Sequence, residues 1–187
     1  MKKILLTAVA VFGFAFANAQ ETKFGAKAGL NMSNVTGDNT DDNKMKIGFQ
    51  VGAFANIGIS EKFAVQPELL FSTQGNKVDG AGDVTVELNY LNIPIMAQYK
   101  VADKFTLEAG PQIGFLMSAK AKFDGGSVDV KEFLNSTDFG IGVGAGYDVA
   151  ENINLGLRYT IGVSNLNKEG DDKNANSNLA FAIGYRF

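Results

Sequence analysis

The side chains of this chain that could do chemistry are carboxylates, amines and amides, because it contains neither histidine nor cysteine. Without histidine the commonest general base, the His-activated serine or cysteine nucleophile and most zinc chemistry are missing. Without cysteine there is no thiolate ligand and no disulfide frame. What remains is a scatter of charges, chiefly Lys27, Glu68, Glu108, Asp138, Arg158 and Arg186. Paired carboxylates such as Glu68 and Glu108 can do acid–base work. With no nucleophile or histidine beside them, neutralising basic neighbours is the favoured role. No catalytic, cofactor-binding or metal-ligating residue is assigned on these grounds. Asp38, Asp41, Asp42, Asp171 and Asp172 offer oxygen atoms suited to calcium. The run from Asp38 to Asn43 lacks the central Gly and terminal Glu of an EF-hand loop. Exposed, solvated connections are the expectation for these segments.

The elements that position these charges start after an export signal. Met1-Lys2-Lys3 is a basic start, Ile4 to Ala17 is almost wholly apolar, and Ala17-Asn18-Ala19 supplies small residues at −3 and −1. That pattern predicts a signal peptide over 1–19, cleaved between Ala19 and Gln20, with one domain over 20–187. The apolar stretch is short for a helical span. Removing Lys2 and Lys3 takes the 17 basic residues to 15 against 20 acidic ones, a net charge of −5. A nucleic-acid surface wants a basic stripe instead, so none is expected.

From Phe24 onward, apolar residues recur at every second position. Phe24, Ala26, Ala28, Leu30 and Met32 alternate with Gly25, Lys27, Gly29 and Asn31. Phe139, Ile141, Val143, Ala145 and Tyr147 alternate with four glycines, and Leu179, Phe181, Ile183, Tyr185 and Phe187 close the chain. Period two is the mark of a strand with one apolar and one polar face. With less regular runs at 63–74, 84–100 and 105–119, the count is eight strands. One turn of helix is expected at Lys131 to Leu134.

The connections are of two kinds. Short turns at 60–62, 102–104 and 150–152 alternate with longer polar segments at 34–44, 75–83, 120–136 and 166–177. In an antiparallel series this puts every long loop at one end. The expected fold is therefore all-β: an eight-stranded antiparallel transmembrane β-barrel with short periplasmic turns and longer extracellular loops, in a bacterial outer membrane. A soluble lipocalin-like ligand-binding barrel also alternates, with its apolar set inside. Here that set is bulky at nearly every position and would overfill a narrow barrel, while the other set is mostly Gly, Ala, Asn, Ser and Thr. The apolar set is thus expected to face lipid. Phe63, Tyr99, Phe105, Tyr147, Tyr185 and Phe187 gather at the turn-side strand ends, where an interfacial girdle belongs.

This facing turns Lys27, Gln66, Glu68, Glu108, Gln112, Asp138, Arg158 and Arg186 into the lumen, where a charge needs a partner. The expectation is an interior ion-pair network of Lys27, Glu68, Glu108, Arg158 and Arg186. Pro67, Pro94 and Pro111 fall inside three consecutive strands and predict bulges or a kink there.

The same proline segments carry a resemblance. Gln66-Pro67-Glu68-Leu69-Leu70, Tyr90-Leu91-Asn92-Ile93-Pro94-Ile95 and Ala109-Gly110-Pro111-Gln112, in that order, resemble the PorT-like outer-membrane β-barrel family along nearly all of the mature chain. Asn92 stands where that family often has Glu. The resemblance implies an outer-membrane barrel. One founding member is tied to protein secretion, and that role is not carried across. The resulting expectation is a non-enzymatic barrel with a structural or surface-interaction role. Its partners would be outer-membrane lipid, the barrel-insertion machinery and a protein partner at the loops. The alternatives are a narrow pore or a component of a secretion or transport assembly.

Overall fold

The structure is a computed structural model that describes residues 22–38, 40, 42–78, 84–170 and 173–187. The predicted signal peptide and the Ala19–Gln20 cleavage site lie outside the described residues. Among the described residues nine strands run in chain order: β1 Thr22–Gly37, β2 Asn43–Gly58, β3 Phe63–Val78, β4 Val84–Ala102, β5 Phe105–Phe123, β6 Gly126–Asp129, β7 Thr137–Ala150, β8 Ile153–Gly162 and β9 Asn174–Arg186. A 3-10 turn at Lys131–Phe133 falls where one helical turn is expected.

Eight of these strands close a barrel. The order β4-β3-β2-β1-β9-β8-β7-β5 is joined end to end by a β4–β5 pairing, and all pairings are antiparallel. Closure gives every mid-wall strand two neighbours and removes the exposed sheet edge, the condition for a sheet to cross lipid. The ninth strand, β6, is a short hairpin partner of β5, occupying the edge that β7 leaves vacant beyond Phe115. Gly125, at a φ of +99°, makes the β5–β6 turn.

The faces follow the alternation. Phe24, Leu30, Phe49, Ile141, Leu155, Leu157 and Phe181 point outward, between 41% and 62% exposed. Asn31, Ser33, Glu68, Ser72, Asn92 and Arg158 point inward and are buried. This overturns the soluble lipocalin-like reading, because the apolar side chains cover the outside of the wall. The turn-end aromatics meet in pairs: Phe63 and Tyr99 with ring centroids 4.8 Å apart, Tyr185 and Phe187 at 5.7 Å, and Phe105 opposite Tyr147.

Two expectations need correction. The strands run further toward the loops than the alternation indicates: β1 reaches Gly37, β3 Val78 and β5 Phe123. Beyond the lipid-facing band a paired strand can be polar on both faces, so its period-two signal fades while its ladder continues. The prolines, moreover, make no bulges. Each sits in a short gap of the ladder toward the preceding strand: Pro67 between the pairs Phe54–Glu68 and Ile57–Val65, Pro94 between Pro67–Ile95 and Leu70–Asn92, Pro111 between Pro94–Gln112 and Ala97–Ala109. The register is the same on both sides of each gap. A proline withholds a donor, but its φ suits a strand, so rungs are lost without a slip. The register shifts lie elsewhere, at Met45/Gln50, Asn89/Tyr90, Lys100/Ala102 and Asp148/Ala150.

Candidate functional site: the lumen

The interior is built in layers, and the charged layer is the centre of the arrangement. Glu68 on β3 is 3% exposed and Arg158 on β8 is 7% exposed. The Arg158 guanidinium donates from Nη1 to Glu68 Oε2 and from Nη2 to Glu68 Oε1, both at 2.8 Å, a two-pronged pairing. Its Nε donates to Glu108 Oε1 of β5 at 2.7 Å. The Lys27 ammonium of β1 donates to Glu68 Oε1 at 2.5 Å and lies 5.7 Å from the centre of the Phe54 ring. Gln66 donates to Glu68 at 2.7 Å and Gln98 to Glu108 at 3.1 Å. Two cations thus face two carboxylates in a neutral layer whose oxygens are already occupied.

Of the five residues expected in the network, the fold brings Lys27, Glu68, Glu108 and Arg158 together. Arg186 stands apart: it pairs with Asp148 near the turn end of the lumen. The reason is register, since Arg186 is the last residue of β9 and lies opposite Gly25. Asp148, which also accepts from Asn154 at 2.9 Å, was missed by the sequence reading. Its place in the inward set that begins at Asp138 is the signal that points to it. Asp138 lies outside the four-membered layer and accepts from Ser164 Oγ at 2.6 Å.

Toward the loops comes a layer of amides and hydroxyls. Asn31 donates to Ser72 Oγ at 2.8 Å and accepts from Asn178 at 3.2 Å. Gln74 donates to Ser72 at 2.8 Å and accepts from Asn176. Beyond these, Val35, Leu88, Tyr90, Leu116, Ala119 and Leu166 form an apolar cluster that stops the loop end. Their inward placement was also missed, because the alternation marked inward positions as polar. Toward the turns, a cavity of about 400 Å³ opens, lined among others by Lys27, Phe54, Asn56, Gln98, Glu108 and Arg186. It ends on the charged layer.

Glycines on β7 make room for that layer. A Cβ on Gly142 would lie 3.4 Å from Arg158 Cδ and 3.3 Å from Met96 Cε. A Cβ on Gly144 would lie 2.5 Å from the Leu157 carbonyl oxygen and 3.0 Å from Glu108 Oε1. A backbone oxygen cannot swing aside, so Gly144→Val is expected to destabilise the barrel by about 1–3 kcal/mol, the usual range for overpacking. Guanidinium unfolding in detergent micelles measures it, and an unchanged midpoint would count against this packing.

The layer offers no reactive group. Both carboxylates are engaged, and among the described residues no serine, threonine or tyrosine hydroxyl bonds to either. Among the described residues no three Asp or Glu side chains converge as metal ligands. Asp41, Asp171 and Asp172 of the calcium question lie outside the described residues, while Asp38 accepts from the Lys173 backbone N–H at 2.9 Å.

Comparison with known proteins agrees with this architecture. Residues 17–168 match a family described as outer membrane protein beta-barrel domain. No curated protein matches the chain. Among solved structures, Ail, the attachment invasion locus protein of Yersinia pestis, is similar at a TM-score of 0.57 and 18% identity, over 90% of this chain and 100% of that one. Neisserial surface protein A is similar at a TM-score of 0.59 and 15% identity, over the same shares. At such identities the likeness is one of fold.

Proposed function

The chain belongs to the outer membrane protein beta-barrel domain family, and from that premise we propose that it is a plugged, non-conducting barrel of the bacterial outer membrane with a structural or surface-interaction role. The observation that carries the reading is the lumen itself. The Lys27–Glu68–Arg158–Glu108 layer, the amide layer and the apolar stopper lie in series across it. Eight strands already leave an interior that side chains can fill, and here they fill it. Export by a signal peptide cleaved after Ala19, insertion by the barrel-insertion machinery and a protein partner at the long loops belong to the same proposal. So does the absence of enzymatic activity, supported by the engagement of both carboxylates of the charged layer, Glu68 and Glu108. The PorT-like placement within the family rests on the three proline segments, which lie side by side on β3, β4 and β5.

The second reading is a narrow pore, favoured by the cavity open at the turn end. Planar-bilayer recording separates the two. The expected result is a quiet bilayer, and steady nanosiemens-scale openings would overturn the plugged barrel. Folding into a barrel is checked by gel migration that changes on boiling.

A further inference from the structure

The turn end of the lumen holds the cavity of about 400 Å³ whose inner end is the charged layer. That volume lies within the range of about 300–1,000 Å³ over which pockets take small molecules. Gly146, Gly156 and Gly184 line it, so backbone forms part of its wall where side chains would fill it. A Cβ on Gly156 would meet nothing closer than 3.9 Å, the mark of open space in front of that residue.

The inner part of the cavity is neutral and rich in amides. Asn56 donates from Nδ2 to Gln66 Oε1 at 3.0 Å and to Gln98 Oε1 at 2.7 Å, which leaves its own carbonyl oxygen without a described partner. Lys27 carries three N–H donors and gives one to Glu68. The Phe54 ring, centred 5.7 Å from that ammonium, adds an apolar surface to the same wall. Donors and acceptors set around an aromatic ring suit a body that carries several hydroxyls, since each hydroxyl can both donate and accept.

The mouth is different, because its charge is positive. Lys62, Lys100 and Arg186 line it against Glu61 and Asp148, an excess of one positive charge with Lys23 left out of the count. Arg186 and Asp148 neutralise one another. Lys62 and Lys100 share one stretch of rim, where the Lys100 backbone N–H donates to the Lys62 carbonyl at 2.8 Å. Both side chains are exposed, and Lys100 has only a loose pairing with the exposed Asp103, at 4.0 Å. Such a pairing is worth little and yields readily to another anion. The chain as a whole is acidic, with 20 carboxylates against 17 basic side chains, so a positive rim draws anions to this one place.

We infer that the cavity binds a small sugar acid from the turn-end side of the membrane, its hydroxyls against Asn56, Gln98 and Phe54 and its carboxylate on Lys62 and Lys100. The inference rests on the plugged-barrel reading above, which closes the inner end. Isothermal titration calorimetry of the refolded barrel in zwitterionic micelles tests it, with galacturonate, glucuronate, galactose and acetate as probes. Saturable binding is expected for at least one of the two acids, and much weaker binding for the neutral sugar and the bare anion. The Lys62→Gln, Lys100→Gln double variant should bind the acid about tenfold more weakly, the scale of a lost hydrogen bond to a charged group. Gly156→Phe places a ring in the open space and should abolish binding while the gel migration still changes on boiling. Failure of both acids to bind, or binding unaltered in both variants, sinks the site. Galactose held as tightly as the acids would refute the role of the lysines, and acetate held as tightly would refute the sugar. Steady channel openings from a barrel that still binds the acid would overturn the plugged reading and leave the site standing.

Discussion

Replacing Arg158 with methionine is expected to destabilise the barrel by about 3–5 kcal/mol, the usual cost of removing one partner from a buried ion pair. Among the described residues the guanidinium alone hydrogen-bonds to both Glu68 and Glu108, through three hydrogen bonds of 2.7–2.8 Å. Without it Lys27 must neutralise Glu68 alone, and Glu108 keeps only the Gln98 amide. Glu68 has 0% side-chain exposure, so water cannot take over. The double change Arg158→Met, Glu108→Gln should recover most of the loss, because it leaves Lys27 paired with Glu68 and no carboxylate stranded. Guanidinium unfolding of the refolded protein in micelles reads both values. A single variant as stable as wild type would show that the layer does not hold the wall together.

A charge placed on the opposite face tests the barrel from outside. Leu157 is next to Arg158 in sequence, yet it is 41% exposed and lies opposite Ala145 and Phe181 on the outer wall. Leu157→Arg should cost about 2–4 kcal/mol in lipid, as basic side chains do near the bilayer midplane of such barrels. The same change at Phe187, the chain's last residue in the turn-end girdle, should cost about 0–1 kcal/mol, because depth governs the penalty. Unfolding from vesicles into denaturant measures the pair. Equal costs at the two positions would mean that the wall is not lipid-facing. The contrast between residues 157 and 158 is the sharpest form of the facing rule: one position along the strand exchanges lipid for the lumen.

Much of this was legible because strand facing is a local property. Successive side chains point to opposite faces whatever the rest of the chain does, so Arg158 and Leu157 could be assigned from neighbours alone. The long loops and short turns were legible for the same reason. Legibility failed where a signal depended on lipid or on distant partners. Polar strand extensions such as Asn34 to Gly37 lose their alternation once no lipid faces them. Strand β6 exists because β7 leaves an edge of β5 vacant, which no local pattern records. Leu88 and Tyr90 turn inward against Val35 and Leu166, residues far away in the chain.

The sequence by itself determined the class of fold, the facing of the wall and the set of charges that must share the lumen. Tertiary structure decided which charge meets which. Glu68 and Arg158 are 90 positions apart and Glu108 and Arg158 are 50 apart, and only closure and register bring them to one height. The same registers carry Arg186 away to Asp148. Alternation is set residue by residue by the backbone, whereas height in a barrel accumulates from every turn, bulge and pairing along the wall.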